Sequence, residues 1–239
     1  MTRIELIATL ALKDALQTIA ARYQLHTGVE VGVSVRAGST IVAGALGASG
    51  AALFVGPQAL CAELGRAGAL VPATWVPVAV SSAALAVSPS LATVATDTVE
   101  DFLGVLRQAR RVAYSAAASG HHFLQVLSGY GLADLVTQKA AIPPPGMLVG
   151  ELIAAGEAEV GVQQFSELLP IPGILVRALP PEFRQDIGYG VIRIAGTQAH
   201  ALQDAFVAFL GGEQSRAVFL QNGLKPFGSI PPTSTGGTP

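Results

Sequence analysis

The chain has 239 residues, of which 51% are hydrophobic and 13% are charged, so it can bury a core of normal size in one globular unit or two small lobes. Its net charge of -2 provides no basic field, which argues against nucleic acid as a partner and against a polybasic membrane patch. The single cysteine, Cys61, cannot form an internal disulfide, and no Cys/His cluster has zinc spacing. We therefore expect no metal and no cofactor.

The N-terminus enters a strand directly, without the basic region, long apolar region and cleavage site of a signal peptide. No run of about 18 uncharged apolar residues follows, so we expect no membrane insertion. The sequence as it stands predicts a cytoplasmic protein, or a periplasmic one if a signal peptide was removed.

Strands and helices alternate in the first third of the chain. Alternation of this length predicts a parallel sheet with helices on both faces. The predicted strands cover 4–7, 29–35 and 52–55, and the predicted helices cover 12–23, 40–46 and 58–67.

An extended run at 76–87 is too long for one strand of a small sheet, and we interpret it as a crossing between two lobes. A strand at 188–194 returns the chain to the first lobe, and the last two helices, at 199–210 and 213–221, pack there. The predicted division is 1–80 plus 190–228 for lobe one, 81–189 for lobe two, and 229–239 for a flexible tail, with crossings near 78–84 and 186–192.

Lobe two contains a strand at 111–114, a Ser-rich loop and a helix from Gly120, for which Ser119 is a natural N-cap. Backbone N–H groups and the positive end of the helix dipole would meet there, which suits an anion. The alternative is an ordinary capped helix that binds nothing. The other elements predicted for this lobe are helices at 99–108 and 148–155 and a strand at 158–162.

Four predicted strand ends carry uncharged hydrogen-bonding groups. In open parallel sheets, ligands lie beyond the carboxyl ends of the strands. Hydroxyls, amides and helix N-termini fit an oxyanion or carboxylate that is held by dipoles rather than by ion pairs. These groups are Thr9, Ser39, the run Ser115 to Ser119, and Gln163 with Gln164.

The order of these elements, the Ser-loop after the second strand, the run from Gly156 to Gly161, and the last helix with its Asn222-Gly223 stop resemble type II periplasmic binding proteins of the molybdate-binding class. The resemblance covers nearly the whole chain and implies an α/β fold of two lobes, each a mostly parallel sheet flanked by helices. It places the ligand-binding positions on Thr9, Ser39, Ser119 or Gly120, Gly146 and Gln164. Gln164 stands where that class has a tyrosine, and His121 and His122 stand where it has small or apolar residues.

Two functions follow from this resemblance. The first is a solute-binding protein that captures a small oxyanion or organic carboxylate in the cleft and, if exported, serves a transporter permease. The second is an enzyme, because the class includes a homologous aconitate isomerase that moves a double bond in an unsaturated tricarboxylate by proton transfer. In an enzyme, His121 is the predicted general base. The sequence shows no evident carboxylate base, which favours the binding protein.

Overall fold

The computed structural model describes residues 3–41, 44, 46, 50–198 and 201–228. Within them the chain alternates strands and helices, as the sequence predicted. The strands are β1 (Arg3–Thr9), β2 (Glu30–Arg36), β3 (Leu53–Pro57), β4 (Val76–Val87), β5 (Val112–Tyr114), β6 (Ala140–Ala141), β7 (Val160–Gln164), β8 (Leu175–Ala178), β9 (Asp186–Arg193) and β10 (Lys225–Pro226). The helices are α1 (Lys13–Thr27), α2 (Gly38–Thr40), α3 (Gln58–Arg66), α4 (Val99–Gln108), α5 (Ala118–Gly129), α6 (Ala133–Gln138), α7 (Val149–Ala154), α8 (Phe165–Leu168), α9 (Ala201–Gly211) and α10 (Glu213–Gln221).

Hydrogen bonds connect the strands in the order β2-β1-β3-β9-β4-β7-β5-β6. At one end, β1 runs parallel to β2 and β3. At the other end, β5 runs parallel to β6 and β7. The strands β9 and β4 lie between these parallel groups and pair antiparallel with their neighbours. The protein therefore consists of two mostly parallel lobes joined by two antiparallel strands.

Strand β4 belongs to both sheets. It pairs with β9 up to Ser82 and with β7 from Ala83 onward. A strand of twelve residues is long enough to contribute to two sheets. The change of partner lies within the run 78–84, where the first crossing was predicted. The residue limits of the lobes themselves remain a prediction.

Two large apolar cores lie on either side of this change. The first joins β1 and α1 to the C-terminal helices and includes Leu6, Leu16, Phe206 and Phe219. The second is built from one contiguous part of the chain and includes Leu85, Phe102, Phe123 and Phe183. Helices α9 and α10 thus pack against the first core. Smaller clusters cover the opposite faces of both sheets.

Several local expectations need correction. Ser119 is not the N-cap of α5, because that helix begins at Ala118 and Ala117 occupies the cap position. Gln163 and Gln164 are the last residues of β7 rather than loop residues. The predicted helix over 40–46 begins earlier, at Gly38, and residues 42, 43 and 45 lie outside the described part of the chain. The elements α6, β6, β8 and β10 were not predicted.

Cys61 is buried in α3, as expected. The predicted tail, 229–239, lies outside the described residues. Across the helices that the structure describes, none combines the length and the apolar character needed to cross a membrane.

Candidate functional site

Thr9 and Gln164 end the strands β1 and β7, one in each lobe. Each also holds the cap position of the short helical segment that follows, which is the 3₁₀ turn Leu10–Leu12 after Thr9 and α8 after Gln164. The two helical segments contact each other. The structure therefore brings these two predicted residues together where the lobes meet.

The side chains of both residues are buried, with 7% of Thr9 and 3% of Gln164 exposed. The hydroxyl of Thr9 and both polar atoms of the Gln164 amide have no hydrogen-bond partner within the protein. A buried polar group without a partner costs about 1–3 kcal/mol, so folded proteins rarely leave three such atoms in one region. A ligand that occupies this place would supply the partners.

A third unpartnered group belongs to His122, whose buried Nε2 also lacks a hydrogen bond. His122 lies in the first turn of α5, and α5 contacts β7, the strand that ends at Gln164. The neighbouring His121, which the sequence favoured, is exposed. Two other unpartnered oxygens belong to Gln185, just before β9, and Gln203, on α9.

At the start of α5, the backbone of Gly120 lies very close to the backbone of Ser115. The Ser115 hydroxyl accepts a hydrogen bond from the Ala117 N–H at 3.0 Å, and Ser119 is buried in the first helical turn. A Cβ on Gly120 would lie 1.7 Å from the Ser115 carbonyl oxygen, so only glycine fits there. The N–H groups of Gly120 and His121 donate to the Ala117 carbonyl oxygen at 3.1 Å. Those of Ala118 and Ser119 precede the first hydrogen bond of the helix and can donate to a ligand at this end.

Ser39 and Gly146 are placed differently. Ser39 is exposed on α2, beyond the end of β2. Gly146 is exposed in the loop before α7 and has a φ of 94°, in the left-handed region that favours glycine. Both follow the carboxyl ends of strands in chain order, but the structure does not bury them with Thr9 and Gln164.

Glu167 is a functional candidate that the sequence interpretation did not assign. Its carboxylate accepts hydrogen bonds from the Gln163 side chain and the Gln164 backbone. The oxygen of the same Gln163 amide accepts from the Val149 N–H at 2.7 Å, at the start of α7. Glu167 therefore lies next to the residue that bears the unpartnered amide and is connected to the N-terminus of another helix.

Burial raises the pKa of the Glu167 carboxyl to about 7, although the hydrogen bonds from Gln164 and Gln163 oppose this shift. Burial also raises the pKa of the Tyr189 hydroxyl well above its usual value, and the negative charge of Glu167 adds to that effect. Tyr189 lies on β9 and packs in the first core. A carboxyl that titrates near neutral pH can donate or accept a proton under physiological conditions.

Glu167 follows the two glutamines by only three residues, but the sequence could not show that α8 turns its carboxylate back toward Gln163. In the part of the chain that the structure describes, no group of three or more His, Cys, Asp or Glu side chains could hold a metal ion.

A family model described as bacterial extracellular solute-binding protein matches residues 4–225. The chain is also 31% identical over 134 residues to an aconitate isomerase from Pseudomonas sp.. That match covers 56% of this chain and 51% of the isomerase, so it spans about half the length of this relative.

Solved structures of low sequence identity share the fold. The periplasmic molybdate-binding protein of Azotobacter vinelandii superposes with a TM-score of 0.77 at 18% identity, covering 96% of this chain and 100% of that one. The substrate-binding domain of a putative molybdenum ABC transporter from Clostridium difficile gives 0.71 at 20% identity, with 94% and 99% covered. The sulfate-binding protein of Mycobacterium tuberculosis gives 0.76 at 16% identity, with 96% and 88% covered.

Proposed function

Since this chain belongs to the bacterial extracellular solute-binding proteins and has the type II periplasmic binding fold, we propose that it captures a small organic acid anion between its two lobes. The observation that carries the proposal is the set of buried, unpartnered polar atoms on Thr9 and Gln164. Both residues lie at carboxyl ends of strands, where α/β folds bind their ligands. The proposed ligand-binding residues are Thr9, Ser39, Ser115, Ser119, Gly120, Gly146 and Gln164.

The Gln164 amide narrows the chemistry of the ligand. Its nitrogen can only donate and its oxygen can only accept, and both atoms are buried without a partner. A bare oxyanion such as sulfate or molybdate would satisfy the nitrogen and leave the oxygen unpaired. An organic acid that carries a hydroxyl or a protonated carboxyl group in addition to its carboxylate would satisfy both.

The donors proposed for this site would bind an anionic ligand by hydrogen bonds rather than by ion pairs. The Thr9 hydroxyl, the Gln164 amide and the first-turn N–H groups of α5 are neutral donors, which bind anions when water is excluded. Exclusion of water requires that the lobes close on the ligand, and β4 and β9 are the strands about which such closure would occur. In a transport role, the protein would be exported and would deliver its ligand to an ABC permease.

The test is a comparison of ligands by thermal shift and calorimetry. Malate, citrate and cis- and trans-aconitate should raise the melting temperature in proportion to the logarithm of concentration, whereas sulfate and molybdate should not. Gln164→Leu should weaken binding of the effective acid by about tenfold or more, since a bidentate polar partner is lost. Gln108→Leu, on the exposed end of α4, is the matched control and should bind like the parent. A response to sulfate or molybdate alone would contradict the proposed ligand class.

The second candidate is isomerisation of an unsaturated tricarboxylate. Two observations favour it, namely the 31% identity with an aconitate isomerase and the Glu167 carboxyl, whose pKa of about 7 suits a proton carrier. The sequence favoured His121 as the base. Glu167, whose carboxylate accepts a hydrogen bond from the Gln164 backbone, and His122, whose buried Nε2 has no partner, are the candidates that we propose instead.

This candidate is tested by incubating the protein with cis- or trans-aconitate in deuterated water and following both isomers by NMR. Isomerase activity would convert one into the other and introduce deuterium at the allylic carbon. Glu167→Gln should then remove activity while retaining binding within about tenfold, and His121→Ala should retain activity. Binding of aconitate without conversion or exchange would leave the receptor function alone.

A further inference from the structure

A second groove, with a volume of about 480 Å³, lies beside β4 at Ser82 to Ala84. One wall comes from β8 and the segment that leads into β9. The other wall comes from the end of α10 and the start of β10. Its lining includes Phe165, which follows Gln164, but not Thr9, Ser39, Ser119 or Gln164, so the groove adjoins α8 and shares no residue with the proposed ligand site.

The base of the groove is apolar. Leu179 and Leu224, each 1% exposed, close it from the two sides, and Ala84 forms part of its floor. Leu220 stands at the rim with 61% of its surface exposed. A ligand that covers this leucine and the apolar base would remove apolar surface from water, which favours binding.

Three cationic side chains line the same groove: Arg177, Arg184 and Lys225. Arg177 donates to the carbonyls of Ala92 and Val94, which fixes its guanidinium in place. Arg184 donates through Nε to the Leu179 carbonyl at 2.9 Å, so its terminal nitrogens stay available. Among the ion pairs of the described residues, none involves these three cations.

The lining of the groove includes no Asp or Glu, and one of its residues, Ser82, donates a hydrogen bond to the Asp186 carboxylate. The lining itself therefore carries an excess of positive charge. This excess occurs in a chain whose net charge is -2, so it is a local feature of the groove rather than a property of the whole surface.

We propose that this groove binds an organic anion with an apolar body, such as a medium-chain or aromatic carboxylate. The apolar part would cover Leu220 and the floor, and the anionic group would meet Arg184 and Lys225 at the rim. The volume is within the range of ligand sites for small organic molecules. Of the residues that line the groove, Leu224 packs in the first core and Leu179 in the second. An occupant would therefore contact both lobes at once.

The experiment uses octanoate as the anionic probe and octanamide as its uncharged match, with calorimetry on the full chain. Octanoate should bind at one site and octanamide at least about tenfold more weakly. The double variant Arg184→Gln with Lys225→Gln should weaken octanoate at least about tenfold, which corresponds to about 1.4 kcal/mol. Leu220→Asp should do the same, because it adds a negative charge at the rim. All three positions are exposed, so the variants should fold.

Three control variants test whether octanoate binds in this groove and not elsewhere. Arg22→Gln and Leu25→Asp alter an exposed cation and an 88% exposed leucine outside the groove, and neither should change octanoate binding. The variant Thr9→Ala with Gln164→Ala should also retain it, since the proposed ligand site is separate. The inference is overturned if octanoate does not bind, if octanamide binds equally well, or if the Thr9 and Gln164 substitutions abolish octanoate binding.

Discussion

The hydroxyl of Ser81, on β4, lies 3.1 Å from the hydroxyl of Ser166, on α8, and both side chains are buried. This hydrogen bond connects the strand shared by both sheets to the helix that follows Gln164. It therefore holds α8 in the position from which Glu167 reaches Gln163.

The Ser81 and Ser166 hydroxyls should be coupled in their effect on the free energy of unfolding. Ser166→Ala would leave the Ser81 hydroxyl buried without a partner, at a cost of roughly 1–2 kcal/mol in the free energy of unfolding. The double variant Ser81→Ala with Ser166→Ala should lose less than the sum of the two single losses. Urea unfolding measures all three. Ser128→Ala, at an exposed position of α5, is the control and should lie within about 0.5 kcal/mol of the parent.

The pKa of Glu167 predicts how stability depends on pH. The carboxyl titrates near 4.5 in the unfolded chain and near 7 in the folded protein. Between these values the folded state keeps a proton that the unfolded state has released, so stability should fall as pH rises from about 4.5 to 7 and then level off. The expected contribution is roughly 2 kcal/mol.

Glu167→Gln should remove this component and leave a variant that is more stable than the parent above neutral pH. Denaturant unfolding at several pH values measures it, with Glu63→Gln, at an exposed position of α3, as the control. An unchanged pH profile in Glu167→Gln would show that Glu167 titrates normally.

The single thiol should be inert in the folded protein. Burial raises the pKa of Cys61 to about 12, and 3% of the residue is exposed, so the thiolate is scarce and shielded. Ellman's reagent should react slowly under native conditions near pH 8 and rapidly in denaturing urea. Rapid reaction of the native protein would mean that α3 opens readily.

Two glycines of α5 should respond in opposite directions to alanine. A Cβ on Gly120 would collide with the Ser115 carbonyl, whereas a Cβ on Gly129 meets nothing within 4 Å. Gly120→Ala should lose several kcal/mol of stability or displace the start of the helix. Gly129→Ala should gain up to about 1 kcal/mol. Thermal unfolding of both variants is the measurement, and equal effects would contradict the close approach.

The two-lobe fold could be predicted because long periodic elements and the extended run at 76–87 are local features of the sequence. The same patterns placed Thr9 and Gln164 just after predicted strands, and the structure extends β1 and β7 to include them. Some short elements, such as β6, α6 and α8, were not found, because so few residues show no clear periodicity. The cap of α5 was misplaced because the Ser115 hydroxyl, rather than that of Ser119, bonds the backbone there.

The finer features of the candidate site depend on tertiary contacts. Whether a glutamine amide is buried without a partner depends on what packs around it, and no spacing in the sequence encodes that. The same holds for Glu167, which could have been an ordinary solvated residue of a short helix. Its raised pKa arises only because α8 folds against β4 and the turn after Thr9.

The first core draws on both ends of the chain, from Ile4 to Leu224, whereas the second uses a continuous segment from Ala83 to Phe183. During synthesis, the ribosome therefore releases every residue of the second core before it releases Phe206 and Phe219 of the first. Those two rings complete the cover over the apolar faces of β1 and α1, so a newly made chain would leave Leu6 and Leu16 incompletely covered until Phe206 and Phe219 had emerged. Chaperones would thus find their binding surface in the N-terminal third of the chain.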